Sequence, residues 1–181
     1  MADYYTHRDF GSGDRISYHG VTDMFRIPKL AAAVYASQQE ERPVLTVANS
    51  MSIGEHPGSF LGEIYVFTNC DFVRVHKGER PVGDFYPRRD RYPTVPHPPV
   101  IVDDLIGDAI ETDGRFSVRD ARRIKKLLIS ASKNGTRLGL FDKLIAGYLF
   151  LKYRMNQHDA AELYTTYVGG WGEKAVKYRF D

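Results

Sequence analysis

Along the first forty residues the polarity pattern passes from a short apolar stretch at Arg15-Ile-Ser-Tyr-His19, through a polar loop, to a helical stripe of Leu30, Ala31, Val34 and Tyr35. Those four positions share one face at 3.6 residues per turn. Pro28 suits the first turn of such a helix, where a missing N–H has no bond to lose. The pattern predicts a buried strand from Arg15, a loop, and a helix closing near Gln39-Glu-Glu-Arg42. Nothing upstream of Arg15 is long enough to supply that strand with partners. The chain therefore reads as cut from something larger.

The rhythm then shortens. Val44 to Ala48, Phe60 to Thr68, Phe72 to Val75 and Val82 to Tyr86 are rich in aromatic and β-branched residues and predict strands. Asn69-Cys-Asp71 and Lys77-Gly-Glu79 supply turns between them. Short strands with frequent turn signals predict a β-sandwich. Tyr86 to Pro99 carries five prolines and three arginines and predicts an extended, irregular segment, with Val100-Ile-Val102 as one more strand.

From Phe116 the period becomes helical. Ser117 with Asp120 three residues on predicts a capping-box-like start. Ala121, Ile124, Leu127, Leu128 and Ala131 form the apolar stripe, with Arg122, Arg123, Lys125 and Lys126 facing out, and Asn134-Gly135 ends the helix. Two more helices are expected, from about Phe141 to Met155 and from about His158 to Tyr167, the latter opened by Asn156 and Asp159 and broken at Gly169-Gly170. Ala175 to Phe180 alternates as a last strand.

Composition removes several function classes. A net charge of +2 in 181 residues gives no electrostatic case for nucleic acid or membrane as a partner. The basic cluster Arg88-Arg-Asp-Arg91 contains its own acid and reads as a solvated loop. Cys70 is the single cysteine, which excludes an intrachain disulfide and leaves the compartment open, the cytoplasm favoured over secretion. Six scattered histidines lack zinc spacing, so no metal is expected. Asp103-Asp104 reads as a solvated turn because no loop of alternating oxygen ligands surrounds it. No cofactor motif is present; Gly11-Ser-Gly13 is short and lacks a phosphate-loop lysine.

Two motifs carry a family resemblance. Gly20-Val21 with Asp23, Arg26 and Pro28-Lys29 resembles the close of the (β/α)8 barrel in glycoside hydrolase family 2, the β-galactosidase and β-glucuronidase group. Thr68-Asn-Cys-Asp-Phe-Val-Arg-Val75, with Gly78 and Val82-Gly83, is similar to the immunoglobulin-like sandwich that follows that barrel. The resemblance implies a mixed α and β chain. Residues 1–41 would be the last barrel strand and helix, 42–115 the immunoglobulin-like sandwich, 116–170 a helical subdomain and 171–181 a returning sandwich strand. The implied function is that of the C-terminal portion of a retaining glycoside hydrolase acting on terminal β-linked sugars.

Retaining hydrolysis uses two carboxylic acids about 5–5.5 Å apart. The family places its acid/base inside an Asn-Glu pair, which this sequence lacks, and all eight glutamates lie at or beyond Glu40. No catalytic residue is therefore assigned, and the chain alone is expected to be inactive. Side chains at the C-terminal end of a barrel strand face the site, so Tyr18, His19 and Asp23 are the implied substrate-binding rim. Two readings stand for His19 and Asp23: contact with sugar, or hydrogen bonds to each other or to the loop backbone. Arg26 and Lys29 are read as locking the loop to the helix, and Asp9-Phe-Gly11 as part of a preceding rim loop. Tyr86, Tyr92 and Trp171 either stack on sugar rings or pack. Implied partners are the carbohydrate substrate, the rest of the barrel and, for subunit contacts, a second copy. The alternative is a stand-alone carbohydrate-binding or interaction module without catalysis. The exposure of Leu30, Val34 and Tyr35 separates the two, because a fragment keeps an apolar helix face that an independent module buries.

Overall fold

The computed structural model describes residues 1–5, 15–51, 61–135, 137–169 and 176–181. They form a mixed α and β structure. Its elements are β1 (Tyr4–Tyr5), β2 (Ile16–Ser17), α1 (Leu30–Ala36), β3 (Leu45–Val47), β4 (Ile64–Thr68), β5 (Val73–Lys77), β6 (Arg80–Phe85), β7 (Val100–Val102), α2 (Ala109–Asp113), α3 (Val118–Asn134), α4 (Leu140–Tyr153), α5 (Gln157–Tyr167) and β8 (Tyr178–Phe180). Among the described residues three sheets are formed: β1-β2, β3-β4-β7 and β6-β5-β8, each name giving the strand order.

The chain divides into two compact units. One comprises Met1–Ala48, Val66–Asp71 and Pro87–Val100; the other comprises Asn49–Tyr65, Phe72–Tyr86 and Ile101–Asp181.

In the first unit, β3 pairs antiparallel with β4 through Leu45↔Thr68, Thr46↔Phe67 and Val47↔Val66. The strand expected from Arg15 does find a partner upstream: Tyr4 pairs with Ser17 and Tyr5 with Ile16. Pattern reading missed it because a two-residue strand has no period to detect. Pro28 likewise differs from expectation. It lies ahead of the Lys29 N-cap and bridges Thr22, so the helix starts two residues later at Leu30. Among the described residues of this unit, the buried set includes Asp3, Ser17, Ser37 and Thr68 beside Val66 and Val100. Polar groups hold much of this interior. Helix α1 has no buried residue, and Leu30, Val34 and Tyr35 are exposed, Tyr35 by 70%.

Asn69 fixes the turn after β4. Its amide oxygen accepts the Val44 N–H at 2.8 Å, and its amide nitrogen donates to the Gln39 and Arg42 carbonyls at 2.7 and 2.8 Å. Gln38 makes a similar two-way bond with the His97 backbone, donating at 2.8 Å and accepting at 3.0 Å. These bonds set the course of Gln38–Val44.

The second unit has a conventional apolar core. Ile64, Val73, Val75, Ile110, Ile124 and Leu149 are all buried. Strand β5 pairs with β6 on one side and with β8 on the other, where Val75 lies opposite Phe180. Helix α2, which no clear period announces, follows a turn in which Gly107 takes φ +60° against the Val82 carbonyl, a place with no room for a Cβ. The Asp103-Asp104 turn is not simply solvated. Asp104 accepts the Ile106 and Gly107 N–H groups and pairs with the Lys125 ammonium at 2.6 Å.

Helices α3 and α5 begin where their caps predict. The Ser117 hydroxyl accepts the Asp120 N–H, and α3 ends at Asn134 before Gly135. Asn156 and Asp159 form a complete capping box, the Asn156 side chain accepting from His158 and Asp159 while the Asp159 carboxylate takes the Asn156 N–H at 2.7 Å. Helix α4 contains Gly147 at its middle. An interior glycine weakens a helix by about 1 kcal/mol relative to alanine. Replacing the α5 cap by Asn156→Ala is expected to lower unfolding free energy by about 1 kcal/mol. The neighbouring Gln157→Ala change should stay within about 0.5 kcal/mol. Urea unfolding of both variants measures the difference.

Candidate functional site

The loop from Ser17 to Lys29 carries the residues singled out from sequence, and its shape follows from a few anchors. Asp23 folds it: its carboxylate accepts the N–H groups of Phe25 and Ile27, each at 2.8 Å. The Asp23 N–H in turn reaches the Ile27 carbonyl at 2.9 Å. Arg26, at φ 66°, occupies the left-handed region that closes the turn. Asp23 makes the loop-backbone hydrogen bonds named among its readings, and its half-buried carboxylate shapes the turn.

Lys29 locks the base of the loop. Its ammonium donates to the Tyr18 carbonyl at 2.9 Å and to the Asp3 carboxylate at 2.7 Å. Asp3 is buried, also accepts the Gly20 N–H at 2.8 Å, and is held below the usual carboxylate range by the Lys29 hydrogen bond. Around it, Val21 donates to the Met1 carbonyl and Asp3 to the Thr22 carbonyl, both at 2.9 Å. Gly20 faces this segment so closely that a Cβ would collide with the backbone of Ala2 and Asp3. Sequence reading missed Asp3 because nothing near Asp3 in sequence marks it; its partners lie 17 and 26 residues away.

Above these anchors Tyr18 and His19 are exposed, as are Phe25 and Ile27. The loop therefore presents two aromatic rings, an imidazole and an aliphatic side chain on a hydrogen-bonded base. That combination suits ring stacking and hydrogen bonding to a polar ligand and supplies no carboxylate for acid/base chemistry. Tyr92 is half-buried with the Arg91 guanidinium 5.7 Å from its ring centre; Tyr86 is exposed and lies 6.0 Å from the Phe72 ring. Asp9-Phe-Gly11 and Trp171 lie outside the described residues.

A second cluster lies in the other unit. The buried Asp120 carboxylate receives Lys152 at 2.5 Å, Tyr153 at 2.8 Å, Ser117 at 2.9 Å and Arg123 at 3.1 Å. These donors, Lys152 first, hold Asp120 well below the usual carboxylate range, and the Asp120 carboxylate in turn raises Lys152 above the usual lysine range. The Ser117 cap on Asp120 was legible; Lys152 and Tyr153, more than thirty residues away, were not, and the Ser117 N–H goes to the Tyr153 hydroxyl instead of closing a capping box. Beside the cluster is an open cavity of about 670 Å³ lined by Arg119, Arg123, Leu144, Tyr148 and Lys152 among others. Asp120 is its one lining carboxylate among the described residues, and it is already saturated with donors. Among the described residues no three His, Cys, Asp or Glu side chains come together as metal ligands, and no helix is long and apolar enough to cross a membrane.

Two outcomes follow. Gly20→Ala should expel residues 1–5 from the loop base, seen as faster amide exchange at Asp3, Val21 and Lys29 with the second unit unaffected. A carboxyl depressed in the folded state stabilises above its unfolded value near ~3.9, and that contribution fades as pH falls toward the folded one. Asp120→Asn should therefore give a shallower loss of stability on acidification below about pH 4. Urea titrations from mildly acidic pH downward should show one proton fewer taken up on unfolding.

No family model matches the chain. Curated relatives do. A β-galactosidase of Thermoanaerobacterium thermosulfurigenes is 45% identical over 104 residues, which is 56% of this chain and 14% of that protein. One from Thermoanaerobacter pseudethanolicus is 40% identical over 102 residues, 54% of this chain and 13% of that protein. A third, from Rhizobium meliloti, is 36% identical over 80 residues, 42% of this chain and 10% of that protein. The chain thus spans a small part of the length of the curated relatives it matches. Among solved structures, a Parabacteroides merdae β-glucuronidase is 22% identical across 52% of this chain and 12% of its own, with a TM-score of 0.39. The resemblance read from Gly20–Lys29 and Thr68–Val75 is borne out by the curated β-galactosidases: over about half its length the chain is similar to β-galactosidases of glycoside hydrolase family 2.

Proposed function

We propose that this chain is a C-terminal portion of a retaining, β-galactosidase-type glycoside hydrolase, completing the catalytic barrel and buttressing its site. The observation that carries this reading is the 45% identity to a protein named β-galactosidase. In it, Ile16–Ser17 and Leu30–Ala36 are the last barrel strand and helix, and residues 42–115 with the returning strand in 171–181 make the immunoglobulin-like sandwich that follows. Helices α3 to α5 form the added helical subdomain.

Two features of the first unit support it. Helix α1 is seven residues long and buries none of them. Helices that short owe their stability to packing of an apolar face, so Leu30, Val34 and Tyr35 require a surface to cover them. The unit's own interior is also thin, with Asp3, Ser17, Ser37 and Thr68 among its buried residues. The rest of the barrel is the surface that such a helix would meet.

The chemistry proposed for the complete enzyme is hydrolysis of a terminal β-galactoside through a covalent glycosyl-enzyme, with both carboxylic acids supplied from barrel strands outside this chain. This chain contributes the rim. Tyr18 and His19 stand exposed to contact sugar, and Asp23 holds the turn that presents them. The chain by itself has no hydrolytic activity.

An antibody raised to the chain tests the reading in cells that make it. It should recognise a polypeptide several times larger than 20.6 kDa and deplete β-galactosidase activity from the extract. The purified chain should leave a chromogenic β-galactoside untouched and should bind a hydrophobic dye, with Tyr35→Lys reducing the signal. A native band near 20.6 kDa, or turnover by the purified chain, would overturn it.

A further inference from the structure

Charge is distributed unevenly along this nearly neutral sequence. Residues 115–154 hold eleven Lys and Arg against two Asp, a net +9, which leaves −7 for the remainder of a chain whose total is +2. The same stretch contains an apolar helix face turned to solvent. Leu140, Leu144, Gly147 and Leu151 of α4 fall within one narrow stripe at 3.6 residues per turn, with Phe141 and Tyr148 along one side. Phe141 and Leu151 are among the most exposed of these, at 79% and 85%.

We propose that the outer face of α4 is a docking site for an acidic amphipathic helix of a partner protein, a reading independent of the glycosidase one. Three observations select that occupant. Gly147 sits at the centre of the stripe, where nothing lies within van der Waals reach of a Cβ. A glycine that weakens its own helix and faces open space permits close approach of another backbone. Cations border the stripe: Lys143 lies beyond one edge, and beyond the other Lys152 and Arg123, which share the Asp120 carboxylate, lie over the Tyr148 ring at 5.7 and 5.5 Å. The cavity of about 670 Å³ beside Leu144 and Tyr148 adds Arg119 and is open to receive a carboxylate side chain. Apolar anchors at helical spacing, a glycine for close approach and a basic rim together match helix-in-groove recognition of an acidic helix.

Other occupants fit less well. A flat anionic bilayer gains nothing from a central glycine or a side-chain-sized recess. A second copy of this chain offers α5 as an acidic helix, but Leu163 and Tyr167 on its apolar face are already buried.

The full chain is titrated with a fluorescent synthetic helix carrying leucines at i, i+3, i+4 and i+7 with flanking glutamates, and with its lysine counterpart. The glutamate peptide should bind, more weakly as salt rises, and the lysine peptide should not. Leu151→Glu and Lys143→Glu should each weaken binding roughly tenfold or more. Gly147→Ala separates docking from folding: it should raise Tm by about 2–4 °C and still weaken binding roughly threefold or more. Equal binding of both peptides, or no binding of the glutamate peptide at millimolar concentration, would overturn the proposal. So would capture by phosphatidylserine vesicles in place of the peptide, or sedimentation of the chain as a dimer that Leu151→Glu dissolves.

Discussion

Asn69 commits both ends of its side-chain amide to main-chain groups at Val44, Gln39 and Arg42, and the path of the chain between α1 and β3 depends on that commitment. Backbone groups in an irregular connection need partners as surely as those in a sheet. Here a side chain supplies them, aided by the Gln38 bonds to His97. The same device recurs at the loop base, where Asp3 and Lys29 take up the Gly20 N–H and the Tyr18 carbonyl. The first unit is therefore organised by hydrogen-bonded side chains around a modest apolar interior. Its alignment of Tyr18 and His19 is a consequence of those bonds.

The second unit solves a different problem. A helical hairpin with so many cations repels itself unless some negative charge is placed within it. Asp120 provides that charge at the N-terminus of α3, where a helix favours an anion, and gathers Lys152, Arg123, Tyr153 and Ser117 around it. Lys125 is neutralised separately by Asp104. The two aspartates tie the basic helix to α4 and to the turn before α2, while the cations that remain point outward.

Legibility in the sequence followed the range of the determining interaction. Helices α3 and α5 were readable to within a residue because Ser117 with Asp120, and Asn156 with Asp159, cap within one turn. Strands β4 to β7 announced themselves through β-branched and aromatic runs. Invisible were the contacts of long separation: Tyr4–Tyr5 against Ile16–Ser17, Asp3 beneath Gly20, and Lys152 on Asp120. Arg123 and Lys125 were read as outward-facing because their carboxylate partners could not be seen from periodicity alone. In the Ser17–Lys29 loop, nothing in the sequence announced that the Asp23 carboxylate would take the Phe25 and Ile27 N–H groups and so shape the turn.

The pairing of β5 with β8 has a consequence for synthesis. Val75 must wait for Phe180, more than a hundred residues later, before its second edge is covered. At about 5–20 residues per second on the ribosome, that edge of the nascent chain stands open for roughly 5–20 s. The hairpin with β6 forms almost at once, so the vulnerable species is a two-stranded ribbon with one unprotected margin. A holding chaperone, or slowed translation between α3 and α5, would then alter the yield of correctly closed sheet without altering the stability of the finished fold.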